Sequence, residues 1–102
     1  MENVQIAGFQ WDEGNRAKCQ KHGVSIAEIE YALSYDFAVS PDVAHSKTEC
    51  RFKAIGKTEE GRYLFLVFTL RQHGNDTFIR PIGARYMHKK EVAAYEKENT
   101  EF

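Results

Sequence analysis

The chain has 102 residues, of which 42% are hydrophobic, 28% charged and 13% aromatic, with seven Gly and only two Pro. That is length for one domain, residues 1–102; the chain is too apolar for a disordered tail and too poor in Pro and Gly for a collagen-like or linker segment. The formal charge of −1 argues against a generally basic nucleic-acid binder, yet residues 51–90 carry nine Lys/Arg against three Asp/Glu, a local +6 between flanks of −4 and −3.

Residues 1–6 contain no basic stretch followed by an apolar one, so no export signal is expected, and Cys19 and Cys50 are expected as reduced thiols of a cytoplasmic protein. Phe9-Gln10-Trp11 alternates aromatics ahead of Asp12, a good N-cap with Glu13 in the first turn. The pattern predicts a helix over residues 13–21, closed by Gly23, which takes left-handed backbone without a Cβ penalty. Trp11 is expected in the core. Ser25-Ile26-Ala27-Glu28 fits a reciprocal Ser/Glu cap, and Ile26, Ile29, Ala32 and Leu33 fall at helical spacing, predicting a second helix over residues 26–33.

After that helix the period changes. Residues 37–39 read as a short extended segment, 41–48 as a loop, 50–57 as a strand and 58–61 as a turn. Residues 63–70 form the strongest predicted strand, apolar on both faces and therefore central; the apolar run within it, 63–68, is far short of the roughly 20 residues of a membrane helix, and no membrane partner is expected. A second turn at 72–76 leads to a strand over 77–84 that contains Pro81. Proline cannot donate to a ladder, so this strand is an edge or the proline lies at a bulge. A last helix over 89–99 offers Val92 and Tyr95 at i, i+3. The order gives an α+β fold: a small antiparallel sheet of three to four strands with two N-terminal helices and one C-terminal helix.

Hairpin arithmetic places Arg51 across from about Phe68, Phe68 across from about Arg80, Arg71 just beyond, and Arg85 near Tyr63. A slip of one residue exchanges the faces, so which of these arginines share one stays open. Guanidinium forks suit phosphate, gripping two oxygens and never deprotonating. The plainer alternative makes them solvated residues or partners of Glu28, Glu30 and the C-terminal glutamates. His22 follows the first helix, where the helix dipole favours a cation and suits a proton donor; the alternative is a capping residue. His45, His73 and His88 are expected to be solvated. Cys19 with His22, and His45 with Cys50, lack structural-zinc spacing, so no metal or other cofactor is expected. No glycine-rich phosphate loop, GxSxG or HExxH occurs, and no helix-turn-helix pattern stands out.

Several blocks recur in order over residues 9–95: Phe9-x-Trp11-Asp12, Lys21-His22-Gly23-Val24-Ser25, Glu49-x-Arg51, Ile55-Gly56, Thr69-x-Arg71, Ile82-x-Ala84-Arg85 and the Glu91…Tyr95 spacing. Together they resemble the BrnT family of toxins from bacterial type II toxin–antitoxin systems. The resemblance implies a RelE-like fold and a metal-independent ribonuclease that inhibits translation. It implies a BrnA-like antitoxin with a ribbon-helix-helix domain as partner, RNA as substrate, and DNA reached only through the antitoxin. Arg51, Arg71 and Arg85 are then the phosphate and transition-state ligands, and His22 the acid or base, with Glu49 the alternative base. Tyr86 donates a proton or stacks on a base, and Lys21 and Arg80 contact the RNA backbone. Gly83 stands where the family commonly has Ser, and Pro81 beside it is less usual. A reading from another class is a non-catalytic interaction module whose basic sheet face binds an acidic protein or RNA.

Overall fold

In the computed structural model, which describes residues 5–99, the chain order is β1 (Ile6–Phe9), α1 (Glu13–Cys19), α2 (Ile26–Ser34), β2 (Ala38–Pro41), β3 (Phe52–Lys57), β4 (Tyr63–His73), β5 (Asp76–Tyr86) and α3 (Lys89–Asn99). A single 3-10 turn covers Val43–His45.

Both N-terminal helices start on the expected caps. Asp12 Oδ1 accepts from the Asn15 amide at 3.0 Å, and Asn15 Oδ1 accepts from the Asp12 amide at 2.7 Å. Ser25 and Glu28 make the same reciprocal pair at 3.1 and 2.9 Å. The first helix closes at Cys19, two residues earlier than predicted. The Lys21 and Gly23 amides fold back onto the Lys18 and Gln20 carbonyls, and Gly23 takes φ +90°.

The sheet has five strands in the order β1-β5-β4-β3-β2, not three to four, and it is mixed. The last four strands in the chain form an antiparallel meander, while β1 joins β5 in parallel. The extra strand is four residues long and contains Ala7 and Gly8, so it carries no β-propensity signal of its own. β4 is central, as its two apolar faces require. Leu64, Leu66 and Phe68 are fully buried beneath Cys19, Val24, Ile29, Ala32 and Leu33, and Phe52 stacks on Phe68 at 5.4 Å. Each such side chain contributes about 1.5–3 kcal/mol on burial. Gly56 lets α2 approach the sheet: a Cβ there would meet the Ala32 carbonyl at 3.1 Å and its Cβ at 3.2 Å.

Registers differ from the expectation by small steps. Phe52, not Arg51, lies across from Phe68, since the strand begins two residues later than position 50. His73 pairs with Asp76 around the two-residue turn 74–75, with Gly74 at φ +62°. Val67 pairs with Gly83 but Phe68 with Pro81, so Ile82 is an extra residue and the strand bulges there. Of the two alternatives for Pro81, the bulge holds: β5 is flanked by β1 and β4, and Pro81 is buried. Its carbonyl accepts from Asn15 Nδ2 at 2.9 Å, and the same nitrogen donates to the Gln10 carbonyl at 3.0 Å.

Candidate active site

Cross-strand partners share a face of a sheet. Leu64, Leu66 and Phe68 face the core, so Phe65 with Arg85, Val67 with Gly83, Thr69 with Arg80, and Arg71 with Phe78 occupy the other face. β1 ends its pairing where the Gln10 amide donates to the Ile79 carbonyl at 2.8 Å. Beyond that point α1 packs against β5. Its end brings Lys18, Lys21 and His22 to Phe65, Val67, Ile82, Gly83 and Arg85, which together line a cavity of about 220 Å³. The floor is apolar and lacks a side chain at Gly83; the rim is cationic.

Arg85 is held by Glu91 from the first turn of α3. Nη1 and Nη2 donate to the two carboxylate oxygens at 2.8 Å each, and the guanidinium sits 4.9 Å from the Phe65 ring centre. Those bonds, with the His88 amide at 2.8 Å, pull Glu91 down to about 2 and push Arg85 up. The two carboxylate oxygens fill the fork bidentately, the geometry in which a guanidinium also takes two oxygens of a phosphate.

Glu49, Arg51 and Arg71 assemble elsewhere on the sheet. Arg71 Nη2 donates to Glu49 Oε1 at 3.1 Å, and Nε lies at an ion-pair distance of 2.7 Å from Oε2 with its N–H off the bond line. His45, Lys47, Thr48, Glu49 and Arg51 line a separate cavity of about 310 Å³.

Arg80 is committed to Asp12 at 2.8 Å, with Gln10 at 3.4 Å, and only 17% of its side chain is exposed. The Asn15 amide first, and then Arg80, hold the Asp12 carboxyl below its ordinary value. Tyr86 is not beside Arg85 in space: adjacent strand residues point to opposite faces, and its hydroxyl donates to Glu28 at 2.8 Å on the helix side. Arg62 covers its ring at 3.6 Å. Glu28 raises the Tyr86 hydroxyl, while the Ser25 amide, ahead of Tyr86, lowers Glu28.

The structure thus unites Lys21, His22 and Arg85 in one cavity and Glu49, Arg51 and Arg71 at a second place, with Arg80 already paired and Tyr86 on the reverse face. Lys18 joins the first group unforeseen, although its i, i+3 spacing to Lys21 could have shown it. Glu91 is one of the C-terminal glutamates that the plainer alternative offered as arginine partners, and for Arg85 that pairing is what the structure shows. Cys19 is buried in the core, where desolvation pushes its thiol up to about 11, while His22 is exposed, so the pair forms no metal site. Trp11 packs on the core as expected, and its Nε1 donates to Glu30 at 2.8 Å. His45 and His73 are exposed yet not purely solvated: they contact Asp42 and Gln10.

An α+β protein with a cationic, histidine-bearing pocket on one sheet face is the class these features define. The model of a family described as "Ribonuclease toxin, BrnT, of type II toxin-antitoxin system" matches residues 11–91. That stretch is most of the chain, and the chain belongs to this family. A search of curated proteins found no match. No helix among the described residues is long and apolar enough to cross a membrane.

Proposed function

We propose that the chain is a metal-independent endoribonuclease of RelE-like fold that cuts RNA in the cavity between His22 and Arg85 and so blocks translation in the cytoplasm. One observation carries this reading: an imidazole and a phosphate-shaped guanidinium fork face the same cavity, with Lys18 and Lys21 beside them. RNA can supply its own nucleophile. The 2′-hydroxyl attacks the adjacent phosphorus and the 5′ oxygen leaves, giving a 2′,3′-cyclic phosphate and a 5′-hydroxyl. Two tasks remain for the protein: to stabilise the extra charge on the phosphorane and to protonate the leaving oxygen.

Arg85 and Lys21 take the first task. The scissile phosphate replaces the Glu91 carboxylate on the fork, and the 2′-hydroxyl passes its proton to solvent water, a loss eased by the positive charge of Arg85 and Lys21 on the phosphate. His22 takes the second as the imidazolium. Glu49 is bound to Arg71 away from this cavity, so the proton transfer falls to His22. Arg71 holds Glu49, Arg80 fixes the start of α1 through Asp12, and Tyr86 braces the 23–28 segment from the helix side through Glu28. The partner is a BrnA-like ribbon-helix-helix antitoxin, through which alone the toxin reaches DNA.

Purified protein incubated with RNA should give 2′,3′-cyclic phosphate ends at the same rate with and without EDTA. Arg85→Ala and His22→Ala should each lose about 10²–10³ in rate. Bound but uncut RNA would favour the non-catalytic module; wild-type rates in both variants would remove the assignment.

A further inference from the structure

The cavity of the 45–51 loop is not part of the chemistry just described, yet it is built with care. The Ser46 hydroxyl donates to the Asp42 carbonyl at 2.7 Å and accepts from the Arg51 amide at 2.9 Å. The Asp42 amide donates to the Arg51 carbonyl at 2.8 Å, and the buried Asp42 carboxylate takes His45 Nδ1 at 3.0 Å. These bonds close the loop on itself and fix its tip. Glu49, the one acid on the lining, is neutralised by Arg71. Lys47 and Arg51 make no side-chain hydrogen bond or ion pair among the described residues, although Arg51 is partly buried. A fixed loop that leaves a guanidinium and an ammonium unpaired is arranged for an anion that arrives from outside.

Its position says which anion. Arg71 belongs to the same sheet face as Arg85, and it reaches Glu49, so the loop tip stands over that face. Arg51 directly precedes Phe52, whose partner is Phe68, which sets Arg51 two strands across and about four residues along from Arg85. With strands about 4.8 Å apart and a rise of about 3.4 Å per residue, the separation is about 17 Å. A stacked strand advances about 3.4 Å per phosphate, so this span matches about five nucleotides. Between the two cationic ends lie Val67 and its cross-strand partner Lys53, an apolar surface and a further cation along the path of the strand.

We propose that Lys47 and Arg51 form a second phosphate subsite that grips the backbone of the same single strand about five nucleotides from the bond held at Arg85. The proposal takes its substrate from the ribonuclease reading and adds a minimum length to it. Two linked contacts on one chain act at high effective concentration, so affinity steps up once the strand is long enough to reach both.

The experiment measures binding of uncleavable 2′-O-methyl oligonucleotides of two to ten nucleotides by fluorescence anisotropy, with wild type and with Lys47→Ala/Arg51→Ala. Both side chains project from the loop, and a thermal melt checks that the variant is folded. Wild type should show a step in affinity at about five to seven nucleotides. The double variant should lose the step, bind the ten-mer about three- to tenfold more weakly, and show a salt slope shallower by about 1.4. A smooth length dependence in wild type, or a step that survives in the variant, overturns the subsite. So does a variant that keeps the step but loses affinity for an antitoxin, which would assign the pocket to a protein partner. Since the probe is not cut, failure of the subsite and failure of the cleavage reading are separate results.

Discussion

Arg80 and Arg85 stand five residues apart on one strand and still share a face of the sheet. In a regular strand an odd separation puts two side chains on opposite faces. The extra residue at Ile82 restores the phase, and the bulge is held where Asn15 Nδ2 takes the Pro81 carbonyl. Asn15 is 3% exposed and uses both amide hydrogens on carbonyls. Asn15→Ala is therefore expected to lower stability by about 1–3 kcal/mol, the cost of leaving buried polar groups unpaired. Asn15→Asp should cost more, since a carboxylate would face two carbonyl oxygens. Urea denaturation of the three proteins measures both differences; equal midpoints would show that the bulge needs no side-chain support.

Glu91 fills the guanidinium fork of Arg85, the seat proposed above for the phosphate. Its carboxyl is held down to about 2 against an ordinary 4.5. A depressed carboxylate contributes stability that is complete above its unfolded value and lost as pH falls through its folded value. The Arg85–Glu91 pair should thus be indifferent to pH between 5 and 8 and open only on acidification from about 4.5 towards 2. Glu91→Gln removes the carboxylate at every pH. The variant should bind RNA more tightly than wild type at neutral pH, by up to about fivefold, as suits a solvent-screened pair. Anisotropy titrations of the two proteins decide the matter, and weaker binding by the variant would instead make Glu91 part of the RNA contact.

Two substitutions at His22 separate proton donation from charge. His22→Lys keeps a cation at the cavity and should retain affinity for uncleavable RNA while losing about 10²–10³ in cleavage rate, because the imidazole that protonates the leaving oxygen is gone. His22→Ala should lose the rate and some of the affinity as well. Cleavage kinetics and anisotropy titrations of both variants test this, and a wild-type rate in His22→Lys would reduce His22 to a phosphate contact.

The parts of this molecule that depend on neighbours in sequence were readable from it. The Asp12 and Ser25 caps, Gly23, the apolar spacing of α2 and the doubly apolar β4 all depend on groups within a few residues of one another. What escaped depends on partners far along the chain. β1 is stabilised by β5, seventy residues away, and not by its own Ala and Gly. The bulge at Ile82 had one local sign, Pro81, which fitted an edge strand equally well. That ambiguity mattered for the site, because the phase of β5 after residue 82 decides whether Arg85 or Tyr86 faces His22. Position 85 and position 86 were both reasonable candidates until cross-strand pairing separated them.

Gly83 lies on the floor of the cavity, with no side chain of its own to offer the phosphate. A Cβ at this position would meet only the Val67 Cβ at 3.9 Å, an ordinary contact, and the backbone is not left-handed. Space and conformation both admit a side chain. Glycine inside a strand costs roughly 0.5–1 kcal/mol relative to alanine, so Gly83→Ala and Gly83→Ser should each be more stable than wild type by a similar amount. The two should part in catalysis. Serine sets a hydroxyl donor beside Arg85 and the seat of the phosphate, while alanine adds a methyl group alone. Cleavage should therefore be faster in Gly83→Ser than in Gly83→Ala, with binding of uncleavable RNA less affected than the rate, as befits a donor that serves the transition state. Thermal melts and cleavage kinetics on the three proteins test both halves. Equal rates for serine and alanine would mean that the missing hydroxyl is no loss to this enzyme, and that the glycine is only a gap in the floor.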